Sequence, residues 1–276
     1  MNRSGKKAYL ARHLWRLTTA PIRTLPDFVI IGAQKCGTSF LYQLLVQHPH
    51  VKPAFAKEVH YFDLNFRKGD NWYRSYFPVQ VRNSRKYITG EASPYYLFHP
   101  HAPRRASTVL PDAKLIVMLR NPVDRAYSHY QHQVKRGKGE GRETLTFEEA
   151  IEAEKRILPG EVSKMLQDEF YESLRHRTRS YLRRGIYIDQ LLAWSSFFPR
   201  KQTLILKSED LFNDTTNVLE RILDFLKIPH WVPETYSIPN KREYAGVSPL
   251  IRQRLDEYYK PHNQRLYEYL GVDLGW

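Results

Sequence analysis

Three stretches of the chain concentrate residues that could bind an anionic group and move it. The first, DFVIIGAQKCGTSFLY at 27–42, places Gly32, Gly37 and Ser39 at the spacing of the G-x-x-x-x-G-K-[ST] phosphate loop, with Thr38 where that pattern has lysine. A strand that enters a helix through such a loop aims backbone N–H groups at one point. The helix dipole adds to them, so the point favours phosphate or sulfate. Lys35 lies inside the turn rather than after the second glycine, which argues against an ATPase reading a γ-phosphate and for another anionic nucleotide. The second stretch, LIVMLRNPVDRAYSHY at 115–130, puts Arg120 at the end of an apolar run and Ser128 eight residues on. Open α/β sheets bind ligands at such strand ends, and an arginine fork suits phosphate. The alternative pairs Arg120 with Asp124 and leaves Ser128 exposed. The third is KEVHYFD at 57–63. Glu58 and His60 are both residue types that take protons, and either could instead be structural. On an extended strand the two would face the same side.

These residues need a scaffold, and the pattern supplies one. Phe28, Val29, Ile30 and Ile31 form a run of the length and type of a central parallel strand, and Phe40, Leu41, Leu44 and Leu45 then recur at helical spacing. Strand-like and helix-like stretches alternate thereafter, which implies βαβ units around a parallel sheet. The reading places strands at 27–32, 87–91, 114–119 and 202–207, with a short extended piece from Val51. It places helices near 38–48, 100–110, 126–136, 147–157, 161–176, 186–197 and 215–227, with further helices over 248–270. Residues 58–63 are expected as loop or strand. Pro49, Pro111 and Pro199 stand where helices should stop. The expected fold class is α/β: a single P-loop-like domain over 25–276, with a central parallel sheet flanked by helices, behind a basic tail or helix at 1–24.

Composition narrows the partners. The chain has 276 residues and a formal net charge of +14, which implies an anionic ligand or surface. Its one cysteine excludes an internal disulfide framework and a cysteine-rich zinc site. No run of about eighteen apolar residues and no signal-type apolar segment is present, so the reading expects a cytoplasmic enzyme without a transmembrane helix. The basic first 24 residues carry Leu10, Leu14, Trp15 and Leu17 in a loosely amphipathic pattern, either a peripheral membrane contact or a packed tail.

The stretch GAQKCGTSFLYQLLVQHP resembles the nucleotide-binding loop of sulfotransferases that use 3′-phosphoadenosine 5′-phosphosulfate (PAPS), in the branch with heparan sulfate and bacterial enzymes. The resemblance spans about residues 27–276. It implies that Gly37, Thr38 and Ser39 cradle the 5′-phosphate, that Lys35 contacts the bridging oxygen and neutralises the leaving group, and that Cys36 belongs to the same cofactor-binding loop with no catalytic role for its thiol. It implies that Arg120 and Ser128 hold the 3′-phosphate, and that KEVHYFD carries the catalytic base at Glu58, with His60 as rival. Tyr187, on a segment with Trp194 and Phe198, is implied to line the site, and Arg242, with Lys241, to close over the nucleotide. The family reading requires no metal. Its acceptor is a hydroxyl or amine, on a glycan or small hydroxylated molecule, and no nucleic acid partner is expected. Where several heparan enzymes read E-K-[TS], this chain has Glu91-Ala92-Ser93, which removes a charge from the acceptor cleft. Two other readings stay open at this point: an ATP-dependent small-molecule kinase, and a non-enzymatic binder of polyanions. The cluster Arg175, Arg177, Arg179, Arg183 and Arg184 reads as a solvated face or as an acceptor rim.

Overall fold

Phe28, Val29, Ile30 and Ile31 are each at most 1% exposed, as a strand covered on both faces requires. They form β1 (Phe28–Gly32), the middle of five parallel strands with β2 (Val51–Pro53), β3 (Ile88–Ala92), β4 (Lys114–Leu119) and β5 (Thr203–Lys207). The order across the sheet is β2-β3-β1-β4-β5. Val29 lies opposite Glu91 on one side and Leu115 on the other. From β1 the chain passes to the edge at β2, returns inward to β3 and then crosses to β4 and β5 on the other side, so the strand ends beside β1 meet at one crevice, the usual ligand position in such sheets. The computed structural model describes residues 14–79, 87–135, 142–236 and 246–276.

The helices that matter to that crevice are α1 (Thr38–Leu45), α2 (Ala102–Val109), α3 (Pro122–Val134), α4 (Phe147–Gln167), α5 (Tyr187–Ser195), α6 (Thr215–Leu226) and α7 (Pro249–Leu270). Their starts follow local rules. Asn121 caps α3, its side chain accepting from the N–H groups of Val123 and Asp124, with Pro122 at the first helical position. Thr146 and Glu149 form a reciprocal capping box on α4.

Two helical expectations need correction. The separate helices expected at 147–157 and 161–176 are one helix, α4, which runs through Pro159 to Gln167, followed by a short helix at Leu174–Thr178. Lys155, Pro159 and Gly160 are all on the exposed side, so water can serve the carbonyl that proline leaves unpaired. The stripe Ile151, Glu154, Leu158, Glu161 and Met165 stays buried on the other side at helical spacing. The C-terminal stretch is likewise a single helix, α7, despite Pro261. Residues 58–63 are not a strand. Glu58 and His60 have φ of 59° and 54°, and a wide helical turn follows over Tyr61–Asn65.

Candidate active site

The loop between β1 and α1 is built around glycine. Gly37 has φ of 83° and is the N-cap of α1, with no side chain to occupy the first-turn N–H groups. A Cβ there would also approach the Phe212 ring to 3.2 Å. The Cys36 N–H turns inward to the Ala33 carbonyl at 3.2 Å, and the helical N–H groups of Thr38, Ser39 and Phe40 end the helix toward the crevice. Thr38 is buried and Ser39 exposed. Lys35 is half-buried with φ of 76°. Cys36 is fully buried, and burial pushes its thiol up to about 11, which keeps it protonated and unreactive at neutral pH.

Arg120, at the end of β4, reaches over this loop: its guanidinium donates to the Lys35 carbonyl at 3.4 Å. Asp124, its rival partner from sequence, is instead ion-paired with Arg252 of α7. Ser128 lies on α3, 8% exposed rather than on the surface. Tyr187, at the start of α5, is 1% exposed. Its hydroxyl donates to the Arg120 carbonyl at 2.8 Å and lies 3.9 Å from the Cys36 sulfur. The structure therefore sets Tyr187 behind the loop, where it ties α5 to both the loop and the end of β4. Lys241 and Arg242 lie outside the described residues.

The third stretch meets the first. Lys57 donates to the Ser39 hydroxyl and is ion-paired with Glu58 at 3.2 Å. Glu58 Oε2 lies 3.5 Å from His60 Nε2, and His60 Nδ1 lies 2.7 Å from Asp63 Oδ2. The two residues expected to share a strand face do come together, but through two left-handed backbone positions rather than through a pleat. Among the described residues, four non-glycine positions have positive φ: Lys35, Glu58, His60 and Lys227. Lys227 ends α6. The other three are the candidate catalytic residues, and such backbone strain gathers at functional sites.

Their electrostatics are coupled. The hydrogen bond from His60, with help from Lys57 and against partial burial, holds the Glu58 carboxyl down at about 2. Burial acts to lower the His60 pKa, but the hydrogen bonds to Asp63 and Glu58 outweigh it and raise it to about 10. Near neutrality His60 is therefore an imidazolium between two carboxylates, and Glu58 is the ionised, 40% exposed end of the array.

A buried network fixes the loop from behind. Glu91, 1% exposed at the end of β3, accepts from Ser93 and Tyr73 at 2.7 Å and from Tyr96 at 3.0 Å. Ser93 Oγ in turn accepts from the His60 N–H at 3.1 Å, and the Tyr96 hydroxyl from the Tyr61 N–H at 2.6 Å. Burial raises the Glu91 pKa, against the hydroxyl donors. Ala92, beside it, is fully buried.

Two residues of the site were not singled out from sequence. Lys57 was passed over as a neighbour of Glu58, and its adjacency to the carboxylate was the available signal. Arg184, in the cluster that reads from sequence as a solvated face or an acceptor rim, is 2% exposed. It donates to the Gln34 side chain in the loop and to the carbonyls of His176 and Arg177, and it lies over the rings of Tyr95 and Phe98. Arg175 and Arg183 remain exposed, as expected.

Comparison with known proteins follows this geometry. Residues 25–242 match the model of the sulfotransferase domain family. A human heparan sulfate glucosamine 3-O-sulfotransferase 6 is 31% identical, over 92% of this chain and 74% of its own length. A Dictyostelium discoideum protein named membrane-associated sulfotransferase kil1 is 28% identical, over 91% of this chain and 66% of its own. The chain thus spans only about two thirds to three quarters of these relatives. The crystal structure of a sulfotransferase from Alicyclobacillus acidocaldarius superposes with a TM-score of 0.68 at 30% identity, covering 91% of this chain and 98% of that one. Among the described residues no helix is long and apolar enough to cross a membrane.

Proposed function

Since this chain belongs to the sulfotransferase domain family, we propose that it transfers the sulfuryl group of PAPS to a hydroxyl, or an amine, of a carbohydrate or glycoconjugate. The observation that carries the proposal is the Lys57 bridge, which joins the anion-binding start of α1 at Ser39 to the carboxylate of Glu58. A nucleotide sulfuryl donor and a proton acceptor would then meet at one point. Heparan sulfate names the substrate of the human relative and supports a glycan acceptor here. Buried Ala92, where several heparan enzymes carry lysine, argues for a different glycan. The single, buried Cys36 fits a reducing, cytoplasmic setting.

In this reading PAPS supplies the sulfuryl group and takes up the departing negative charge as PAP (3′-phosphoadenosine 5′-phosphate). The N–H groups at the start of α1, with Thr38 and Ser39, hold the 5′-phosphate, and Lys35 neutralises the bridging oxygen as its S–O bond breaks. Arg120 and Ser128 hold the 3′-phosphate, and that charge is what separates this nucleotide from adenosine 5′-phosphosulfate. Glu58 accepts the proton that the attacking hydroxyl gives up as the new O–S bond forms. A carboxylate with a pKa near 2 is a weak base. If sulfuryl transfer shares the loose transition state of phosphoryl transfer, the proton leaves late, and position then counts for more than basicity. His60, held cationic by Asp63, fixes Glu58 and cannot itself take the proton.

The test is transfer of labelled sulfate from PAPS to a panel of glycans, lipids, peptides and small alcohols, beside thermal melts with PAP and with ATP. Labelled glycan and a melting temperature raised by PAP, through binding to the native state, are expected. Stabilisation by ATP and not by PAP, with no labelled product, would overturn the proposal in favour of a kinase.

A further inference from the structure

Four large apolar side chains, those of the segment 14–22 and of Phe55, stand in water: Leu14 at 60% exposure, Trp15 and Ile22 at 57% and Phe55 at 50%. Trp15 and Phe55 are held together by built contacts. Arg23, itself 1% exposed, lies 4.8 Å from the Trp15 ring and 5.4 Å from the Phe55 ring, and donates to the Phe77 carbonyl at 2.7 Å. Arg16 lies 5.2 Å from the Phe55 ring as well. Two cations thus knit the segment 14–23 to the strand-end segment 52–58, nearly all of which is exposed.

The sequence of this segment carries charge of one sign: Arg3, Lys6, Lys7, Arg12, Arg16 and Arg23 precede the first acidic residue, Asp27. Lys52 extends from the neighbouring edge strand over the Tyr87 ring at 3.8 Å. The nearest acid in sequence to Phe55, Glu58, is already paired with Lys57 and His60. Exposed tryptophan, phenylalanine and isoleucine bordered by arginine and lysine is the composition of a surface that lies in a headgroup layer, apolar groups inward and cations against lipid phosphate.

We propose that this face, made by residues 14–23 and Phe55, docks the protein on an anionic lipid bilayer. Phe55 and Glu58 are three residues apart, at most about 11 Å of chain, so docking brings the acceptor side of the cleft to the membrane surface. The acceptor is then one presented from a membrane.

The experiment is co-sedimentation of the full chain with phosphatidylcholine vesicles, with and without phosphatidylglycerol, at two ionic strengths. The same is done for the double variant Trp15→Glu/Ile22→Glu. Neither residue touches the loop or Glu58 in the structure, so PAP should raise the melting temperature of the variant as in the parent, which checks its folding. Binding is expected only with the anionic lipid, weaker at high salt, and at least about tenfold weaker in the variant. Equal sedimentation of parent and variant, or a parent indifferent to phosphatidylglycerol, would overturn the proposal. So would a dimer in analytical ultracentrifugation that the same substitutions dissolve, since the face would then bury itself against a second copy. If the vesicle result holds while PAPS transfer fails, the docking stands without the enzymatic reading.

Discussion

The two sides of the cleft are made differently. The proposed donor side, Gly32 to Ser39 with Arg120, is held by backbone: a left-handed glycine, a helix start without a side-chain cap and a strand end. The proposed acceptor side, Lys57 to Asp63, contains no glycine. It is held in left-handed conformations by side chains from far along the chain, through Glu91, Ser93 and Tyr96. A backbone device depends on a few residues at fixed spacing, and it can bind any ligand that presents an anion. A side-chain network costs strain and burial but sets one carboxylate at one angle. The difference teaches where specificity should lie: nucleotide charge on the first side, acceptor chemistry on the second.

The comparison breaks most sharply at Lys35. Lys35→Ala should lower kcat by about a hundred- to a thousandfold, the scale of one lost electrostatic stabiliser, while PAP affinity falls less. Unchanged kcat with a raised KM would make Lys35 a binding residue only. Arg120→Ala should weaken PAP by about 2–4 kcal/mol, measured by calorimetry, as for a lost charge-assisted contact. The loss for adenosine 5′-phosphosulfate should be much smaller, coming only from the loosened Lys35 carbonyl. Equal losses for the two nucleotides would remove Arg120 from the 3′-phosphate.

On the acceptor side, Glu91→Gln replaces one acceptor oxygen of this network by an NH2 group, so that Ser93 must turn from donor to acceptor or a tyrosine hydroxyl loses its acceptor. A loss of about 1–3 kcal/mol of stability is expected, read as a melting temperature lowered by a few degrees. The PAP-induced rise in melting temperature should survive, because the donor side does not rest on this network. A variant that loses PAP binding would show that the two sides are not independent.

The same contrast explains what could be read from sequence. The donor loop was legible because Gly32, Gly37 and Ser39 must fall at one spacing, and β1 and β4 because buried parallel strands are short apolar runs. The acceptor loop was legible as residues but not as shape. Nothing near Glu58 and His60 announces left-handed backbone, because the cause is Ser93 and Tyr96 more than thirty residues away. Arg184 was invisible for the same reason: its partners are the Gln34 side chain and two carbonyls that only the fold assembles. The break expected between 157 and 161 is absent because Pro159 lies on the exposed face of one continuous helix, and proline's cost depends on which face of the helix it occupies.

The account turns on Glu58 as base and His60 as a fixed cation. The most direct measurement is single-turnover transfer at saturating PAPS for the parent, Glu58→Gln and His60→Asn across a pH series. Glu58 has a depressed pKa, so it is ionised from mild acid upward, and its contribution fades only as pH falls toward about 2. His60 has a raised pKa, so its clamp is complete below the ordinary histidine range and is lost as pH rises through about 10. The account predicts a parent rate that is flat from about pH 5 to 9 and declines near 10. It also predicts a loss of about a hundred- to ten-thousandfold in Glu58→Gln, and a smaller loss in His60→Asn with its acid limb moved up toward the usual carboxylate range. An inactive His60→Asn beside an active Glu58→Gln, with a parent rate that climbs as His60 deprotonates, would contradict it.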